Sequence, residues 1–149
     1  MPTATITINI SNFVPNGCCA IDRPAISPGG GGNRAYYKSS SPNTPDYDTI
    51  VVKSKGRSAL DIAFVITPAG QYTANTIAFT QTNGSGDPAG TQNFTNPTAS
   101  GAAITVTNVF AHVGLNANTP HWRYAIGITQ ISSGASGLID PGIENSDEN

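Results

Sequence analysis

Polar and apolar residues alternate with a period of two along most of the chain, and this restricts the folds that the chain can adopt. In the first run Ile6, Ile8 and Ile10 alternate with threonine and asparagine. Such alternation places one face of a strand on a core and the other in water. Three further clear runs occupy residues 60–66, 104–110 and 122–128. No window has the apolar spacing of a helix, so the sequence predicts an all-β chain.

Weaker alternation predicts three more strands, at residues 49–55, 76–81 and 138–143. About seven short strands separated by Gly, Pro, Asn and Asp turns are typical of an immunoglobulin-like fold. The chain has 149 residues and shows neither a linker nor an internal repeat, which favours one domain. We therefore predict a single antiparallel β-sandwich, immunoglobulin-like, spanning residues 1–149.

Two stretches depart from the alternation. Residues 11–48 contain many prolines and four consecutive glycines at 29–32. A loop of this length is uncommon in a compact domain and is usually functional or mobile. The alternative is an irregular cover over an open sheet edge, and the sequence leaves both interpretations open. The polar residues 144–149 are predicted to form a solvated tail.

Charge and hydropathy exclude several classes of partner. The formal net charge is −2, only 11% of residues are charged, and the seven Lys and Arg are scattered. The chain thus lacks the basic patch of a nucleic-acid-binding protein or of a protein that binds anionic membranes. Its longest apolar run, residues 62–66, is far too short for a transmembrane helix. No signal peptide is visible, so we expect a cytoplasmic protein, or a secreted one if a leader has been removed.

Four side chains are candidates for metal or nucleophilic chemistry. Cys18 and Cys19 are adjacent in the chain, so they cannot readily form a disulfide with each other. His112 and His121 are the only imidazoles, and the loop between them could bring them together at one end of a sheet. A catalytic zinc needs a third protein ligand, and the neighbouring sequence supplies none. We expect no cofactor and no enzymatic activity, with a small metal-dependent hydrolase using both histidines as one alternative.

Tyrosines and acids in polar surroundings are the candidate ligand-binding residues. They are Tyr36, Tyr37, Asp46, Tyr47 and Asp48. Tyrosine rings can stack on a sugar while neighbouring polar groups bind its hydroxyls, but the same composition serves a protein contact. Aspartate also makes turns by accepting hydrogen bonds from its own backbone. A carbohydrate-binding module, with saccharide as the partner, is therefore the first alternative, and the hydrolase is the second.

The C-terminal part of the chain resembles a known family. A strand at residues 121–128 is followed by a Gly/Ser turn and then by Asp140, Pro141 and Glu144. This ending resembles the small bacterial proteins of the DP-EP family, which carry an Asp-Pro and a nearby Glu-Pro. Asp140-Pro141 matches that signature, whereas Asn145 follows Glu144 in place of proline. The resemblance implies a sandwich-like all-β domain and carries no catalytic residue with it.

These observations together favour a non-enzymatic binding or self-assembly module. A surface poor in charge and rich in Thr, Asn and Gly offers little electrostatic repulsion between copies of the protein. Such a surface suits a structural protein that packs with copies of itself. The same module could instead use the 11–48 segment to bind a ligand.

Overall fold

The computed structural model describes residues 3–27, 33–37, 41–43, 49–54, 59–83, 86–111, 120–140 and 142–147. These residues form strands and no helix, so the all-β prediction is confirmed. None of them forms a helix long and apolar enough to cross a membrane. The strands are β1 (Thr3–Asn12), β2 (Ala20–Ile21), β3 (Ala25–Ser27), β4 (Asn33–Tyr37), β5 (Ile50–Ser54), β6 (Leu60–Thr67), β7 (Tyr72–Asn83), β8 (Phe94–Ser100), β9 (Ala103–Asn108), β10 (His121–Gln130), β11 (Ser136–Ile139) and β12 (Gly142–Asp147).

The alternation of the sequence corresponds directly to the burial of side chains. Along β6 the apolar residues at every second position are buried and those between them are half-buried. All four clear runs and all three weaker ones contain strands. The sequence does not predict β8, because Phe94 is the only one of its residues that is buried. A strand with one buried side chain leaves no periodic signal.

The first sheet has the order β2-β1-β6-β9-β8, with β3 also paired to β1. β2 and β3 follow each other along β1, and both are antiparallel to it. β1 and β6, which lie far apart in the chain, pair in parallel. The remaining pairs of this sheet, β6 with β9 and β9 with β8, are antiparallel. Alternation reports which face of a strand is buried but not its direction, so the parallel pair could not be predicted.

The second sheet has the order β11-β10-β12-β5-β4, with β7 also paired to β10. β11 and β12 pair with opposite halves of β10. β12 pairs in parallel with β5. Residues 144–147 therefore belong to a strand, and the prediction of a solvated tail there is wrong. All four pair with β5, and Glu144 pairs with β10 as well. Polar side chains give no sign of this pairing in the sequence.

One core joins the two sheets. Phe64 of β6 and Tyr124 of β10 have ring centroids 4.8 Å apart. Phe94 of β8 contacts Trp122 of β10 edge-on, with a centroid distance of 5.2 Å. Inward-facing residues of both sheets form a single cluster of buried side chains. The two sheets are thus two layers over a common core.

Part of the 11–48 stretch covers a sheet edge. The N–H groups of Asn16 and Cys19 donate to the carbonyls of Ser136 and Leu138, at 2.7 and 2.8 Å. The N–H of Leu138 donates in return to the carbonyl of Gly17 at 3.0 Å. This segment therefore extends the second sheet beyond β11. The stretch also contains β2, β3 and β4, so the expectation that it is irregular throughout is wrong. These strands are too short for their alternation to be visible in the sequence.

Two other strand edges, those of β7 and β8, are obstructed against pairing with a further strand. On β7, the N–H of Ala74 donates to the carbonyl of Gly101 and that of Gln81 to the carbonyl of Pro88, each at 2.9 Å. β8 carries Pro97, and its register with β9 shifts between Thr95 and Thr98. Proline and bulges both hinder pairing with a further strand.

Candidate ligand-binding cavity

A cavity of about 500 Å³ lies where residues 18–24 meet the ends of β10 and β11. Its described lining combines charged, hydroxyl, thiol and apolar side chains. These residues are Cys18, Cys19, Ile21, Asp22, Arg23, Pro24, Thr49, Thr82, His121, Arg123, Ile139 and Asp140. They come from both sheets and from the segment that covers β11, so only the folded chain brings them together.

An ion pair joins two strands at the wall of this cavity. Nη2 of Arg123 on β10 lies 3.2 Å from Oδ2 of Asp140, which follows β11. Nη2 also donates to the Asp140 carbonyl at 3.3 Å, and Nε donates to Oδ1 at 3.5 Å. The two side chains are 58% and 36% exposed, and pairs this exposed add little to stability. The contact instead fixes the orientation of the guanidinium at the cavity.

A second guanidinium is held by an aromatic ring. The Arg23 guanidinium carbon lies 3.5 Å from the ring centroid of Tyr37 on β4, within the range of a cation–π contact. Arg23 therefore occupies one face of the ring that the sequence assigned to saccharide stacking. Next to it in the chain, Oδ2 of Asp22 accepts a hydrogen bond of 2.7 Å from the amide of Asn9. Tyr36 is half-buried in β4 and is not among the described residues that line the cavity.

A β-bulge in β7 positions His121. His121 pairs with Asn83 and Trp122 pairs with Gln81, so Thr82 is an extra residue without its own partner on β10. A bulge re-aims the side chain that it carries. Here it brings the Thr82 hydroxyl into hydrogen-bonding contact with Nδ1 of His121. The contact sets the direction of the imidazole at the cavity wall.

The two cysteines have different environments. Cys18 is exposed, Cys19 is buried, and both are free thiols. The N–H of Val14 donates to the Cys19 sulfur at 3.3 Å, and Cys19 belongs to the apolar core. Cys19 thus acts as a small buried side chain, whereas Cys18 is exposed and is one of the residues that line the cavity.

The structure brings together only some of the residues proposed from the sequence. His121 and Asp140 both line the cavity, and Glu144 is opposite His121 in the register of β10 and β12. His112, Asp46, Tyr47, Asp48 and Pro141 lie outside the described residues. Within the described part of the chain, no group of three or more His, Cys, Asp or Glu residues could hold a metal ion.

Sequence reasoning did not identify Arg23, Arg123 or Thr82 as site residues. A weak signal was present for the two arginines, because they belong to only seven Lys and Arg in the whole chain. In a chain so poor in charge, each cation is a candidate for a specific contact. Thr82 had no such signal, since it is one of many threonines and its role depends on a bulge.

One buried acid outside the cavity has a structural role. The Asp87 carboxylate is 1% exposed and accepts three hydrogen bonds, from the backbone N–H groups of Gln92 and Asn93 and from the Asn93 amide, at 2.8 to 3.2 Å. Its carbonyl accepts a bond of 2.9 Å from the Trp122 indole. Asp87 thereby fixes the turn before β8 against the core.

No protein-family model matches the chain, and no curated protein shows significant similarity to it. The resemblance of the C-terminal part to the DP-EP family therefore stays a prediction.

Proposed function

We propose that this chain is a non-enzymatic, immunoglobulin-like β-sandwich that binds a small polar molecule in the cavity beside Arg123. The observation that carries the proposal is the convergence of charged and hydroxyl side chains in a space of about 500 Å³. Small-molecule sites are concave, of similar volume, and combine apolar walls with a few placed polar groups. The polar groups here stand on or next to strands, which hold them in fixed positions.

The contacts within the cavity support binding more than catalysis. Arg123 and Asp140 hold each other, and the Thr82 hydroxyl holds His121. Binding requires donors and acceptors in fixed positions, whereas hydrolysis also requires an activated nucleophile beside an oriented base. The metal-dependent hydrolase remains the alternative that depends on His112.

The obstructed edges of β7, β8 and β11 favour a small ligand over self-assembly through these strands. Edge-to-edge pairing needs a row of accessible backbone groups. On β7 the carbonyls of Pro88 and Gly101 occupy both ends of the edge, and on β11 residues 16–19 occupy it. A saccharide remains an alternative ligand, one that would depend on hydrogen bonds at the cavity more than on the ring of Tyr37.

A fragment screen by protein NMR tests the proposal. The screen uses small carboxylates, amines, polyols and sugars, and we expect a binder that shifts the amide signals of residues 18–24 and 121–123. Arg123→Gln should weaken that binder about tenfold, the typical effect of one charge-assisted hydrogen bond. Asp61→Asn is the matched control, because Asp61 bonds Thr107 on the first sheet and is not among the cavity residues.

The proposal fails if no compound binds, or if every binder shifts signals away from the cavity. It also fails if Asp61→Asn weakens binding as much as Arg123→Gln does. The backbone signals of each variant show whether it keeps its fold, so loss of binding through unfolding is recognised directly.

A further inference from the structure

We propose that the ligand is a zwitterion of the α-amino-acid class, with a carboxylate and an ammonium on one carbon and an apolar side chain. This inference rests on the proposed function and specifies the ligand of the same cavity. Three features carry it: the signs of the charges on the wall, the direction of the Arg123 donors, and the apolar surface beside them.

The described cavity wall carries both signs of charge in equal number. Its cations are Arg23 and Arg123, and its anions are Asp22 and Asp140. Each arginine of the wall has an aspartate near it. A ligand with a single charge that contacts one of them would therefore also lie close to a group of its own sign, which disfavours binding. A zwitterion can direct its carboxylate to a guanidinium and its ammonium to a carboxylate.

The geometry of Arg123 leaves donors for a carboxylate. Its side-chain bonds to Asp140 use Nε and Nη2. Because the guanidinium is planar and carries five N–H groups in a fixed fork, Nη1 is directed away from that carboxylate. Nη2 also donates to the Asp140 carbonyl, so Nη1 is the nitrogen that can donate to an oxygen of a ligand carboxylate.

Asp22 is the acceptor that we assign to the ammonium group. One of its oxygens accepts the Asn9 amide, and an ionised carboxylate offers about four acceptor positions. It therefore keeps acceptor capacity after that contact. Asp140 is less available, because both of its carboxylate oxygens accept bonds from Arg123, whereas Arg123 keeps Nη1.

The cavity also offers an apolar wall for the ligand's side chain. Ile21, Pro24 and Ile139 line it beside the charged groups, and Ile21 is the one of the three that is not buried. Burial of an aliphatic or aromatic side chain against them adds affinity in proportion to the area removed from water. The combination of paired charges and apolar wall favours amino acids such as leucine and phenylalanine over small polar zwitterions such as glycine.

Calorimetric titration with matched compounds tests the inference. The compounds are L-leucine, leucine amide, which lacks the carboxylate, and N-acetyl-leucine, which lacks the ammonium; L-phenylalanine repeats the test with a larger side chain. We expect each amino acid to bind at least about tenfold more tightly than its single-charge analogues. Arg123→Gln should weaken leucine but not leucine amide, and Asp22→Asn should weaken leucine but not N-acetyl-leucine. Asp61→Asn should leave all affinities unchanged.

Alkylation of Cys18 provides an independent readout, since this exposed thiol lines the cavity whereas Cys19 is buried. A bound amino acid should slow the reaction of Cys18 with a small alkylating reagent. If an analogue with one charge protects Cys18 and binds as tightly as the amino acid, the zwitterion is wrong and the binding cavity stands. If neither amino acid binds but another compound of the fragment screen protects Cys18, the zwitterion is again wrong and the binding cavity stands. If no compound protects Cys18 and none shifts the amide signals of residues 18–24 and 121–123, the proposed function fails as well.

Discussion

Tyr124 lies at the centre of the core, and its environment is unusual for a tyrosine. The side chain is fully buried, and its hydroxyl has no hydrogen-bond partner among the described residues. Its ring contacts Phe64 and Phe79, with centroid distances of 4.8 and 6.2 Å. A buried hydroxyl without a partner reduces stability, because it loses its contacts with water and gains none. The ring, and not the hydroxyl, is therefore what the core uses.

Replacing Tyr124 by phenylalanine should stabilise the protein. Tyr124→Phe keeps the ring contacts and removes the unpaired hydroxyl, so we expect the free energy of unfolding at neutral pH to rise by about 1 kcal/mol. Urea unfolding followed by circular dichroism measures this change. A loss of 1 kcal/mol or more would show that the hydroxyl has a stabilising partner in solution.

The same substitution should change the stability at alkaline pH. Burial, with a further contribution from Tyr37, raises the pKa of Tyr124 well above its ordinary value. The folded state then keeps this proton while the unfolded state releases it from about pH 10 upwards. Stability falls with rising pH wherever the folded state binds more protons. Tyr124→Phe should thus lose less stability than the wild type above about pH 10, and equal losses would contradict the burial effect.

At the scale of the element, β11 is the strand whose packing depends most visibly on one glycine. A Cβ built on Gly137 would lie 2.8 Å from the sulfur of Cys19 and 2.8 Å from a ring carbon of Phe13. Phe13 packs in turn against Tyr72, with ring centroids 5.8 Å apart. The residues that cover β11 therefore require a glycine on the strand beneath them.

We expect Gly137→Ala to destabilise the protein by about 1–3 kcal/mol, the usual cost of overpacking. Gly127→Ala is the matched control, because its added Cβ meets only the side chain of Thr76, which can rotate. Gly127 lies on β10 opposite Leu138, so both substitutions test the same ladder. Thermal unfolding of the two variants compares them, and an equal or larger loss in Gly127→Ala would refute this account of the cover.

The sequence predicts where strands lie far better than it predicts which strands pair with each other. Ile6, Ile8 and Ile10 identify β1 because alternate side chains enter the core, but nothing local to them indicates that β6 runs parallel beside β1. Pairing depends on residues that are distant in the chain. The cavity shows the same limit. His121 is a candidate by its residue type and Asp140 enters through the family resemblance, whereas Arg23 joins them only because the 18–24 segment crosses the end of the second sheet.

At the scale of the whole molecule, the question is whether the two sheets unfold together. Ile62 on β6 and Ile126 on β10 are both fully buried in one cluster of side chains. Neither sheet has a separate core among the described residues, since the inner faces of both contribute to that cluster. A domain with a single core usually unfolds in one cooperative transition.

Ile62→Ala and Ile126→Ala should each lower the free energy of unfolding by about 2–5 kcal/mol, because each leaves a cavity in the shared core. Ile131→Ala is the matched control, since Ile131 is 55% exposed and its truncation should change stability by less than about 0.5 kcal/mol. Fluorescence of Trp122, the single tryptophan, reports on the second sheet, and far-ultraviolet circular dichroism reports on all strands. In every variant we expect the two urea-unfolding curves to coincide. If Ile62→Ala shifted the circular dichroism transition and left that of Trp122 in place, the sheets would unfold separately. The cavity, whose lining includes residues of both sheets, would then lose the rigid support on which ligand binding depends.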